Sequence, residues 1–176
     1  MASVTDGTST TMMLAECKVG IKGSKKVGEA FARGWAWNNG GPPAPCLARE
    51  NADGTLNGNL QTNGWQSGWR WADSHSIYTQ FHPVLPPNRP SCGNNAENFA
   101  LVTASSFHPG GVNVAFCDGS VHFIGNDVDA GDPNLSEKND VDLVDPNRPQ
   151  DYKGPSLRGV WGSLGSGHCG EAVIIP

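Results

Sequence analysis

Residues 111–125, GVNVAFCDGSVHFIG, alternate apolar with polar or small side chains on both sides of Asp118-Gly119. A period of two is the pattern of a half-buried strand, and Asp-Gly between two such runs is a strong short-range hairpin signal. A two-residue turn needs positive φ at both central positions, which gives Asp118 a left-handed turn conformation. It pairs Cys117 with Ser120, Phe116 with Val121, Ala115 with His122, Val114 with Phe123 and Asn113 with Ile124. Val112, Val114, Phe116, Val121 and Phe123 then form a core face. Asn113, Ala115, Cys117, His122 and Ile124 form the other, half-polar face.

The rest of the chain reads as loops and short strands. Gly and Pro number 23 and 13 of 176 residues, yet hydrophobic residues reach 37% with six Trp. That is too apolar for a disordered chain and enough for one core, so residues 1–176 are expected to form a single loop-rich domain. The fold class expected is α+β, mostly β: an antiparallel sheet around the 111–125 hairpin, with little helix and long loops. Asp6-Gly7 marks a turn, and the Thr/Ser residues after it either cap a short helix or lead into a strand. Met12, Met13, Leu14 and Ala15 are expected to be a buried run. Trp35 and Trp37 stand at strand spacing, 51–64 reads as a surface loop, 162–170 as a Gly-rich loop and 172–175 as a terminal strand. No run approaches the ~20 apolar residues of a membrane span. Nor does a charged-then-apolar leader open the chain, so Met1 is expected to lie inside folded sequence or at a boundary cut from a longer chain.

Charge is uneven. The net charge is −5, and residues 126–151 hold eight acids against Lys138 and Arg148. The remainder is close to neutral and lacks a basic stripe dense enough for nucleic acid. Within the acidic segment, DVDAGDPN at 127–134 and DVDLVDPN at 140–147 repeat one pattern. Asp127, Asp129, Asp132, Asp140, Asp142 and Asp145 are therefore candidate ligands for a hard, oxygen-seeking cation, calcium rather than zinc. The EF-hand spacing fails, because Asp132 stands where its glycine belongs. The bland reading is a solvated loop whose Asp-Pro pairs make turns.

None of the five cysteines forms a Cys-x-x-Cys pair, which argues against a Cys-rich zinc site. Cys46 and Cys92, both in Pro-rich sequence, are the first choice for a disulfide; the alternative is that all five are reduced and packed. His108, Asp118 and His122 are candidates for a catalytic or metal constellation, provided His108 folds back over the polar face of the hairpin. Trp65, Trp69 and Trp71 are candidates for a sugar-stacking platform. No Gly-x-Ser-x-Gly elbow or phosphate-loop ending is present.

His108 followed by nine residues and Asp118-Gly119 resembles the His-x9-Asp-Gly signature of the domain of unknown function 1559, a family of prepilin-like proteins. Residues 4–16, VTDGTSTTMMLAE, resemble the family's D-G-T-S-x-T-hydrophobic-x-x-x-E stretch, and 164–173, LGSGHCGEAV, its Gly-Glu ending. The resemblance implies export, an extracellular or cell-surface location and a pseudopilin-like sheet, but no reaction. The family's N-terminal prepilin helix and first half-domain are not matched here. Three functions are weighed. The first is an exported, calcium-stabilised pseudopilin-like structural domain that self-associates or meets a cell-surface partner. The second is a metal-dependent hydrolase of small esters or lactones, and the third a carbohydrate-binding module with a glycan partner.

Overall fold

The computed structural model describes residues 4–34, 41–61, 66–95, 98, 100–136, 155–168, 170 and 174–175. Among them lie six short strands: β1 (Met12–Ala15), β2 (Phe31–Arg33), β3 (Ser91–Gly93), β4 (Ala100–Leu101), β5 (Gly111–Phe116) and β6 (Val121–Gly125). Three short helices accompany them: α1 (Ala44–Leu47), α2 (Ser76–Thr79) and α3 (Gly159–Leu164). The strands form two three-stranded sheets, ordered β1-β5-β6 and β2-β3-β4. The mostly β, loop-rich class expected from the sequence is what the chain adopts. The second sheet departs from the all-antiparallel expectation, since β2 and β3 run parallel.

The hairpin forms over residues 111–125, with a register one residue away from the expected one. Val112 pairs with Ile124, Asn113 with Phe123, Val114 with His122 and Ala115 with Val121. The cause is the turn. The Phe116 N–H donates to the Ser120 carbonyl at 2.9 Å, and the Gly119 N–H to the Phe116 carbonyl at 3.0 Å, so the loop has three residues, not two. Gly119 takes φ +87°, whereas Asp118 keeps an ordinary φ. Its carboxylate instead accepts the Ser120 N–H at 2.9 Å and hydroxyl at 2.7 Å. A type I turn closed by a left-handed glycine needs only one residue at positive φ.

That single step turns β6 over, because strand side chains alternate between faces. Val112, Val114, Phe116 and Ile124 are buried, but Val121 and Phe123 are 63% and 48% exposed. The core under this sheet also takes Met12, Ala104, Val128, Ala130, Trp161 and Leu164. Full burial of aliphatic side chains of this size stabilises by about 1.5–3 kcal/mol each.

β1 pairs Met12 with Phe116 and Leu14 with Ala115, with a bulge between. The extra residue shifts the alternation, so Met12 is buried while Met13 and Leu14 face out. Of the expected buried run only Met12 is fully buried, while Ala15 is partly buried against the same core. The Thr/Ser stretch before it leads into the strand: Thr8 and Thr11 carbonyls accept the N–H groups of Asp118 and Cys117.

The second sheet is closed by the Cys46–Cys92 disulfide, with Cα atoms 5.8 Å apart. Its core holds Val27, Ala32, Leu56, Leu85 and Leu101 around that bridge. The 51–61 loop is pinned by isolated bridges, Glu50 to Leu56 and Ala32 to Leu60. Helix α3 occupies, in its second half, sequence read as the start of the 162–170 Gly-rich loop. It forms because Trp161 and Leu164, three residues apart on one face, are both fully buried.

Candidate functional site

The motif residues at 4–16 and 108–119 meet beside the hairpin. β1 carries Glu16 past the start of β5, where its carboxylate accepts the Asn113 backbone N–H at 2.7 Å and the Asn113 amide at 3.2 Å. The same carboxylate contacts His108 Nε2 at 3.1 Å. Partial burial disfavours the ionised form of Glu16, but the two Asn113 donors and His108 outweigh it and hold its pKa below the ordinary value. His108 also packs edge-on against Phe123, and its N–H donates to Ser106 Oγ at 3.1 Å.

At the other end of the motif, Asp6 reaches the C-terminal loop. Its carboxylate accepts the Gly170 N–H at 2.8 Å and the Ser166 hydroxyl at 3.3 Å. Thr11 adds a bond from its hydroxyl to the Ser166 carbonyl at 3.2 Å. All three motif segments are therefore joined by carboxylate and hydroxyl contacts along β1.

His108, Asp118 and His122 are placed apart. His108 lies with Phe123 on the outer face of the hairpin, whereas His122 sits against Phe116 on the inner one. Asp118 is at the turn, where its bonds to Ser120 hold its pKa low, with His122 a lesser contributor. The partner His108 does have is Glu16, which can orient an imidazole.

The first acidic octet runs from the hairpin to α3. Asp129 accepts the Gly131 N–H at 2.9 Å, and Asp132 accepts the backbone and side-chain N–H groups of Asn134 at 2.8 and 2.9 Å. These are turn-making bonds of an Asp side chain to the N–H two residues on, at Asp129-Ala130-Gly131 and at Asp132-Pro133-Asn134. The Asp129 carbonyl accepts the Trp161 N–H at 2.8 Å, which docks the octet on α3. Arg158, buried, donates to the Asp132 and Leu135 carbonyls at 2.9 and 2.8 Å. Among the described residues no three His, Cys, Asp or Glu side chains gather closely enough to hold a metal. Asp140, Asp142 and Asp145 lie outside the described residues, as do Trp35, Trp37, Trp65 and Cys169.

Two of the concave surfaces among the described residues involve these candidates. A groove of about 820 Å³ runs between the α1 segment, the Pro-rich loop and the octet; Asp127 and Asp129 line it together with the Glu50–Arg89 ion pair. An open cleft of about 510 Å³ is lined by Trp69, Arg70, Trp71 and Asp73. The Trp69 indole N–H is committed to the Gly20 carbonyl at 2.6 Å. Trp71 is 86% exposed.

The family model described as a protein of unknown function (DUF1559) matches residues 1–131. The chain belongs to the DUF1559 family. No curated protein and no solved structure matches it. The matched range contains both the 4–16 and 108–119 motifs, while the Gly-Glu ending at 164–173 lies beyond it.

One residue of this DUF1559 chain was not singled out from its sequence. Asn88, in the Pro-rich loop, has φ +59° and is the one non-glycine residue with positive φ among those described. Its Nδ2 donates to the Gly111 carbonyl at 3.2 Å and to Asn126 Oδ1 at 2.8 Å, and its Oδ1 accepts the Ser106 N–H at 2.9 Å. It thereby fastens the disulfide-bearing half to the base of the hairpin. The signal in the sequence was Pro87-Asn88, a pair that favours a turn with Asn in the left-handed conformation.

Proposed function

We propose that this DUF1559 chain is an exported, pseudopilin-like structural domain displayed outside the cell. The observation that carries the reading is the use made of the signature side chains. Asp6, Glu16 and Asp118 each bond backbone N–H groups of their own fold, at Gly170, Asn113 and Ser120. Residues so committed serve architecture first. Calcium is part of the proposal: the exposed carboxylate of Asp127, with Asp129 and Asp132, which both also hold turn N–H groups, would need ligands from Asp140, Asp142 and Asp145 to complete a cage of 6–8 oxygens.

Thermal melting with calcium and with a chelator tests the ion. Chelator should lower the melting temperature, and Asp127→Asn with Asp140→Asn should remove the calcium response. A melting curve indifferent to calcium would refute that part. Turnover of small esters or lactones, lost in His108→Ala or Glu16→Gln with the fold intact, would replace the structural reading by the hydrolase one, since a carboxylate-oriented imidazole is the geometry of a general base.

A further inference from the structure

The chain carries a basic, apolar surface at residues 17–28, next to the Trp69–Trp71 corner. Twelve residues there hold Lys18, Lys22, Lys25 and Lys26 and no acid, in a chain of net charge −5. Among these lysines stand Val19 and Ile21, 55% and 50% exposed. These two aliphatic side chains stand half in water, two residues apart, flanked by exposed Lys22, Lys25 and Lys26.

The segment is held in shape by its neighbours. The Gly20 N–H donates to the Ser67 carbonyl at 2.9 Å, and the Ile21 N–H to the Glu29 carbonyl at 3.1 Å. The Trp69 indole N–H donates to the Gly20 carbonyl, and Val19 lies against Gly68, where an added Cβ would meet its Cγ2 at 3.3 Å. A turn follows, with the Ser24 N–H on the Ile21 carbonyl and Gly23 at φ +82°. The nearby acids are occupied. Buried Glu29 takes the Ser24 hydroxyl at 2.6 Å, Asp73 is engaged by His75 and Arg70, and Glu16 is bound to Asn113. Glu29 and Asp53, the latter in the loop bridged to Lys26 through Thr55, bring negative charge here, but Lys18, Lys22, Lys25 and Lys26 outnumber them. Asp73 and Glu16 face their own cationic or imidazole partners, so the segment stays net positive.

We propose that this surface docks on an anionic lipid bilayer, with Lys22, Lys25 and Lys26 at the headgroups. Val19, Ile21 and the Trp71 ring would sit at the acyl boundary. Basic side chains are drawn to an anionic leaflet, and indole rings favour the interface between headgroup and hydrocarbon. The aliphatic pair decides for lipid over a soluble polyanion or a glycan, because isoleucine and valine gain nothing from a hydrated, charged chain. This is peripheral contact; among the described residues no helix is long and apolar enough to cross a membrane.

Flotation of the full chain with phosphatidylcholine vesicles, with and without phosphatidylglycerol, tests it. Binding should require the anionic lipid and weaken as salt is added. It should fall about a hundredfold in Lys22→Ala/Lys25→Ala/Lys26→Ala, taking roughly a factor of five per lysine near the surface. Trp71→Ala should reduce the blue shift of tryptophan emission on binding, with an unchanged melting temperature. The proposal is overturned by absence of flotation, by equal binding to neutral vesicles, or by undiminished binding of the triple variant. Retention on heparin or polysaccharide resin without vesicle binding would assign the surface to that polymer and overturn it equally.

Discussion

Glu16 and His108, 92 residues apart in the chain, meet at 3.1 Å on the outer side of the hairpin. The carboxylate does more for the fold than for the imidazole, because it also closes the Asn113 N–H at the second outward position of β5. Glu16→Ala should therefore cost about 1–3 kcal/mol by leaving charge-assisted bonds unmade. His108→Ala should cost less than about 1 kcal/mol, as expected of a half-exposed side-chain contact. Because the folded state holds the Glu16 pKa below its ordinary value, its contribution is present above that ordinary value. It is lost as pH falls through the folded pKa. Chemical denaturation of both variants across the acidic range checks order and sign together.

Asn88 is predicted to be the most sensitive polar position outside the motifs. Asn88→Gly keeps the left-handed backbone but removes three side-chain bonds, whereas Asn88→Ala removes the bonds and adds backbone strain. Both should destabilise, Ala by about 1 kcal/mol more than Gly. Equal midpoints for the two in urea would show that the backbone conformation there costs nothing.

Reduction of Cys46–Cys92 should lower stability substantially. The bridge spans 46 residues of sequence, for which the chain-entropy model gives about 4 kcal/mol. Both sulfurs are buried, so a Cys46→Ala/Cys92→Ala variant also loses packing around Leu85 and Leu101. Its melting temperature should not respond to reductant, while that of the native chain should fall.

His82 supplies a pH dependence of its own. Burial is the main cause that lowers its pKa, and the Val102 N–H that donates to its Nδ1 at 3.1 Å requires that nitrogen to be unprotonated. The unfolded chain therefore takes up a proton at higher pH than the folded one. Stability is complete above the unfolded value, near 6.5, and falls as pH drops from there toward the lower folded pKa. His82→Gln should flatten that part of the stability profile and leave the Glu16 part in place.

The elements that could be read from the chain are those whose information is local. Asp118-Gly119 between alternating runs specifies a hairpin whatever surrounds it, and the Pro-rich loops around Cys46 and Cys92 made that pair the first choice for a bridge. Register is different. It turned on whether Asp118 or only Gly119 takes positive φ, and the Ser120 side chain and N–H decided that by holding the Asp118 carboxylate. Helix α3 was hidden because its second half, with Gly162 and then Gly165, reads as part of the 162–170 loop, while the burial of Trp161 depends on Phe81 and β5 packed far away in sequence. The Glu16–His108 meeting is likewise a property of β1 pairing with β5, which no local pattern records. Its two residues did stand in the two motifs by which the family could be recognised.

The register itself gives the sharpest test of the hairpin. A two-residue turn would bury Val121 and Phe123 and expose Ile124; the three-residue turn does the reverse. Val121→Thr should change stability by less than about 0.5 kcal/mol, as for a surface site. Ile124→Ala should cost about 2–5 kcal/mol, because it opens a cavity against Val112 and Trp161. Gly119→Ala adds a Cβ at φ +87° and should cost about 1 kcal/mol or more, since left-handed backbone disfavours every residue with a side chain of that kind. Asp118→Ala loses the two Ser120 bonds yet meets no such strain, and should be milder. If Asp118→Ala proved the more damaging of the pair, or Val121→Thr the more damaging of the strand variants, the turn would have to be the two-residue form after all.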